Sequence, residues 1–268
     1  MAVWVDLTAV VAGRMMNGNP SLVPSARSGA RLTASTSVII AMAIGITLVG
    51  ALESLSWWPF APFLWVHSVL CIVLALAVRP SPNAWPHQQP LWKPKRAFFI
   101  GLAVGVSCIV GFIAIYYAIF QGLNIASASD ANLWHVMRNI FQESALRHGK
   151  IMTLICAFLL LGVWAPIGEE LFYRRLLYNG LRQRWTFGLS AACSASFFGI
   201  RHALQLLFIM PEHSYPWWAG VAYFIWAGMF GLLFSWLYEK TRHLAVPAAL
   251  HALNVLWSPI VIYVMLYK

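Results

Sequence analysis

Hydrophobic residues in this chain come in long unbroken runs, at roughly 37–55, 60–78, 97–120, 151–168, 188–209, 217–238 and 245–267. Each run is close to the ~20 residues that an α-helix needs to cross a bilayer core. Backbone polar groups in lipid must find partners within their own segment, so a run that meets lipid alone is a helix. The pattern predicts an all-α fold: a polytopic transmembrane helical bundle with about seven spans over residues 36–268. Residues 1–35, mixed in Gly, Pro, Ser and Arg, read as a flexible N-terminal tail without the short apolar run of a signal peptide. The Pro-rich stretch 80–94 reads as a linker. Between the third and fourth runs, residues 129–148 mix Trp134, Val136, Met137, Ile140 and Phe141 with Arg138, Glu143 and Arg147, the composition of an amphipathic interfacial helix.

Composition agrees with the pattern. Hydrophobic residues make up 60% of the chain and charged residues only 10%, against about a quarter charged in soluble domains. The net charge of +10 does not form a basic face on a folded domain. It falls at the ends of the apolar runs, where Lys and Arg meet lipid headgroups. Nucleic acid is therefore not an expected partner; the lipid bilayer is. Cys71, Cys108, Cys156 and Cys193 lie inside apolar runs without metal-ligand spacing and read as small apolar filler.

The distribution of Lys and Arg sets an expected orientation. Arg14, Arg27, Arg31, Arg79, Lys93, Lys95, Arg96, the 174–184 stretch, Lys240 and Arg242 fall on one side, whereas loops 56–59 and 210–216 have neither residue. The N-terminus is expected in the cytoplasm, as in a multi-pass protein of a bacterial inner membrane. Trp57, Trp58, Trp217, Trp218 and Tyr267 at span ends fit an aromatic belt.

Polar side chains inside such spans are costly, about 2.5–3.5 kcal/mol for a central Asp, Lys or Arg, and are functional candidates for that reason. The set here is Glu169, Glu170 and Arg174 in the fourth run, Arg201 and His202 in the fifth, and His251 with Asn254 in the seventh. Glu170 and Arg174 are spaced i and i+4 with the acid first, the favourable order for an ion pair. Glu169 is turned about 100° away on a helix. Its own i+4 neighbour is Tyr173, so it has no cation on its helix. Desolvation and the Glu170 charge are then expected to raise its pKa toward that of a general base. A solvated interfacial charge cluster fits the motif equally well.

Phe198 precedes His202 by one turn and can pack beneath the imidazole, and Gly199 can admit a neighbouring helix. His251 and Asn254, at i and i+3, share a face. Together they suit either a developing oxyanion or a hydrogen bond between helices. All three sets are expected at one depth, in the inner half of the membrane, with the first three spans nearly free of charge.

These residues resemble the CPBP family of intramembrane proteases, which includes CAAX prenyl protease 2 and bacterial Abi proteins. The motif Glu-Glu-x-x-x-Arg is matched by Glu169, Glu170 and Arg174, and Phe-x-x-x-His by Phe198 and His202. The family's third motif has Asn or Asp four residues after its His. Here Val255 takes that place and Asn254 stands one residue earlier. The matching part runs over about 151–268.

The resemblance implies an endopeptidase acting on a membrane-associated protein or peptide, with CAAX-type processing as one form. It implies that Glu169 and His202 activate water while His251 and Asn254 steady the oxyanion. No cofactor is favoured; if zinc is present, Glu169, His202 and His251 are its candidate ligands. The pattern of two His on one helix, His-Glu-x-x-His, does not occur. A transporter or channel using buried Glu and His, and an inactive scaffold with this fold, are the alternative classes. Substrate and oligomeric state are open.

Overall fold

The computed structural model describes residues 32–55, 65–80, 90–122, 133–208 and 217–267. All belong to one unit, Leu32–Lys268. The tail read over 1–35 therefore lies largely outside the described residues, as do loops 56–59 and 210–216 and most of linker 80–94. At the end of that tail the reading is corrected, because Leu32–Ala34 forms a short strand, β1. It pairs in parallel with β2, Val78–Pro80. The backbone groups there find partners in a distant segment, which no local pattern announces.

Each apolar run coincides with a helix. In chain order these are α1 (Thr36–Leu55), α2 (Trp65–Ala77), α3 (Pro94–Gly122), α4 (Leu133–His148), α5 (Lys150–Leu181), α6 (Phe187–Phe208), α7 (Trp217–Thr241) and α8 (Ala245–Tyr267). Among the described residues, four helices are long and apolar enough to cross a membrane: α1, α3, α5 and α7. Two shorter apolar stretches, Val66–Ala77 and Ala245–Leu256, lie in α2 and α8. Leu52, Val110, Ile115 and Ile151 stand exposed on the outer faces, as lipid contact requires. The chain is an integral membrane protein with an all-helical body.

Helix α4 is the interfacial candidate. Its Phe141 is buried against Cys156 and Ala157 of α5, and its Ser144 hydroxyl lies 3.1 Å from that of Thr153. The chain reverses between them at Gly149, whose φ of 84° lies in the left-handed region that glycine adopts without strain.

Lipid is as apolar as the bundle interior, so close approach and polar contacts, rather than hydrophobicity, hold such helices together. A Cβ on Gly168 of α5 would sit 2.7 Å from the Ser68 carbonyl oxygen of α2. One on Gly199 of α6 would meet the Phe224 carbonyl of α7 at 2.8 Å. The helix-admitting role expected of Gly199 is thus met by α7.

Two polar devices add direction. Glu53, near the end of α1, accepts the backbone N–H groups of Val66 and His67 at 3.0 and 2.8 Å, capping the start of α2 from another helix. Glu239 of α7 accepts from Tyr178 at 2.6 Å, Arg182 at 3.2 Å and Arg242 at 2.9 Å, tying the end of α5 to the end of α7.

Candidate functional site

Helix α5 carries the two glutamates, and its hydrogen bonding is uneven around them. Wide π-type turns at Ala157–Trp164 and Leu171–Tyr178 flank the α-helical segment Ala165–Glu170. Such turns recur at functional sites because an extra residue re-aims the side chains beside it. Both carboxylates point inward and are buried, Glu169 at 2% exposure and Glu170 at 0%. A solvated interfacial cluster, one of the two readings of the motif, is not what the fold builds.

Glu170 Oε1 lies 3.0 Å from Arg174 Nη1 within α5 and 3.0 Å from Nδ1 of His251 on α8. Arg174 is itself fully buried. Its Nη2 donates to the Gly231 carbonyl at 3.3 Å. Its guanidinium lies 4.8 Å from the Phe198 ring centre and 5.2 Å from that of Phe234, so aromatic faces take up the rest of the charge.

A carboxylate only accepts hydrogen bonds, so His251 Nδ1 carries the proton toward Glu170. Its Nε2 is then turned to the other carboxylate, 3.7 Å from Glu169 Oε2. Phe234 stacks on the imidazole at 5.1 Å, fixing its plane. The two glutamates, expected to face separate surroundings, therefore flank one ring.

Glu169 also has a cation, contrary to the expectation drawn from its own helix. Arg201 Nη2 of α6 stands 2.8 Å from its Oε1. Position i+4 on α5 could not reveal a partner that another helix supplies. Arg201 Nη1 reaches His202 Nε2 at 3.0 Å and Gln205 Oε1 at 3.1 Å. His202 Nδ1 donates to the Phe198 carbonyl at 2.8 Å, and the Phe198 ring packs on the imidazole with centroids 4.4 Å apart. Asn254 is half-buried one turn beyond His251, and its Oδ1 is buried without a hydrogen-bond partner among the described residues.

The first two helices contribute more than their near-lack of charge suggested. Gly50 of α1 leaves room for both His67 and Arg201: a Cβ there would lie 3.2 Å from one and 3.4 Å from the other. Glu53 and His67 are buried. An acid and an imidazole inside otherwise apolar runs were signals as strong as those weighed further along the chain. Tyr223 of α7, 5.7 Å from the His202 ring, had no such signal.

The candidate zinc ligands have other partners in this structure. Both ring nitrogens of His202 are engaged, one with a carbonyl and one with a guanidinium. That same guanidinium occupies one oxygen of Glu169. Among the described residues no three His, Cys, Asp or Glu side chains are grouped to hold a metal ion.

No curated protein and no solved structure matches the chain. Residues 151–257 match a family model described as Rce1-like, type II CAAX prenyl endopeptidase Rce1-like. That segment contains Glu169, Glu170, Arg174, Phe198, Arg201, His202, His251 and Asn254. Over that segment the chain is similar to the type II CAAX prenyl endopeptidases of the Rce1-like, CPBP family.

Proposed function

We propose that the protein hydrolyses a peptide bond near the C-terminus of a membrane-associated protein, in CAAX-type processing, with Glu169 as general base and no metal ion. The observation that carries this reading is the buried Glu169–His251–Glu170 array, in which one imidazole stands between two carboxylates. Arg201 engages Glu169 Oε1 and leaves Oε2 turned toward His251 Nε2. A water seated against Oε2 gives up its proton to Glu169 as its oxygen attacks the scissile carbonyl carbon. The tetrahedral intermediate carries its charge on the former carbonyl oxygen, and Asn254 is the amide side chain on the same helix face that can meet it. As the C–N bond breaks, the proton held by Glu169 passes to the departing amine, with His251 Nε2 beside its path. Peptide and water become acid and amine, and Glu169 is restored.

His202 takes a different part from the one the resemblance implied. Its sole lone pair faces Arg201, so it supports the site rather than accepting the water proton. Membrane vesicles holding the wild-type protein or Glu169→Gln, mixed with a tagged prenylated CAAX-type peptide, test the assignment. Cleavage is expected with wild type alone, the variant remaining folded because its amide can still accept from Arg201. Full activity in Glu169→Gln refutes the mechanism.

A further inference from the structure

Arg201 lies in the middle of an apolar helix, where a charge is costly without a specific partner. It is 2% exposed. Its stem passes Gly50, where a Cβ would lie 3.4 Å from its Cγ and 3.7 Å from its Nε. A guanidinium holds only donors in a rigid planar fork. Nη2 serves Glu169, and Nη1 serves His202 and Gln205.

Those donors dictate the state of the neighbouring groups. His202 Nε2 faces an N–H that can only donate, so that nitrogen is an acceptor. His202 Nδ1 faces a carbonyl that can only accept, so that nitrogen bears the proton. Together they leave one form of the ring, neutral and protonated at Nδ1. At Glu169 the same fork takes Oε1, which leaves Oε2 as the oxygen available for chemistry.

We infer that Arg201 is a positioning residue for hydrolysis: one guanidinium selects the reactive oxygen of Glu169 and holds His202 in its Nδ1–H form. The inference rests on the hydrolytic reading for its effect on rate, but not for its effect on His202. Lysine offers one ammonium point and cannot span the two partners as the fork does.

The test uses full-length protein in lipid nanodiscs with ¹⁵N-labelled histidine, as wild type, Arg201→Gln and Arg201→Lys. His202 is assigned by the signal missing in His202→Gln. Wild type at neutral pH is expected to show His202 protonated at Nδ1 alone, and both Arg201 variants to show a mixture of forms. On a prenylated CAAX-type peptide, kcat of Arg201→Gln should fall by about 10²-fold, the scale of a misplaced catalytic group. KM should change by less than about threefold, because the loss falls on the transition state. Arg201→Lys should recover part of that kcat.

A purely structural role would lower the folded yield and leave kcat per folded molecule and the His202 signal unchanged, which overturns the inference. If Arg201→Gln does not fold, Arg201→Lys decides alone, and a wild-type His202 signal with wild-type kcat overturns the inference. A wild-type protein that cleaves nothing, while His202 still responds to Arg201→Lys, sinks the hydrolytic reading and upholds Arg201's hold on the ring.

Discussion

Removing the Glu170 carboxylate tests how the buried charges are held. In Glu170→Ala, Arg174 keeps its bond to the Gly231 carbonyl and its contacts with the Phe198 and Phe234 rings, but loses its counter-ion at 3.0 Å. Both side chains are 0% exposed, so water cannot replace the lost partner. Breaking a buried pair on one side costs about 3–5 kcal/mol. The aromatic faces return about 2 kcal/mol or more at a desolvated site, but already do so in the wild type. His251 Nδ1 also loses its acceptor, a further penalty of about 1–3 kcal/mol. In Glu170→Leu/Arg174→Met the uncompensated cation is gone and similar volume remains, so only the His251 penalty should persist. The single variant should therefore be the less stable by about 2 kcal/mol or more. Unfolding the purified proteins by titration from mild detergent into SDS measures the difference. A double variant no more stable than Glu170→Ala refutes the ion-pair argument.

Three further outcomes are expected. Asn254→Ala should lose about 10²–10³-fold in kcat with little change in KM, as for one oxyanion donor; unchanged kcat with a lower melting temperature would mark it as a bond between helices instead. Prolonged chelation and dialysis should leave activity intact, whereas zinc near one per chain, with activity restored only by adding it back, would reject the metal-free mechanism. Gly168→Ala should cost about 1–3 kcal/mol in the same SDS titration, because its Cβ would press on the Ser68 backbone; wild-type stability would contradict the close approach of α2 and α5.

Local features were legible in the sequence because local chemistry causes them. A run such as 217–238 becomes a helix, observed as Trp217–Thr241, since lipid gives its backbone groups no other partners. The Glu170–Arg174 contact is set by helical spacing within α5. The packing of Phe198 beneath His202 likewise needs only one turn of α6. The resemblance of three short motifs pointed to the segment that the family model matches.

What lay beyond the sequence is the pairing between helices. Glu169 looked bare because its cation is on α6, and the two carboxylates looked separate because the ring between them is on α8. His67 of α2 and Arg201 of α6 come together beside Gly50 of α1, a meeting that no single segment reveals. Sequence by itself determined which segments are helical, that they suit lipid, and which side chains are too polar to face it. Only the tertiary structure decided which of those side chains meet, because the rotation and depth of each helix are fixed by close contacts at glycines such as Gly168 and Gly199, and a shift of one residue there turns a side chain by about 100°.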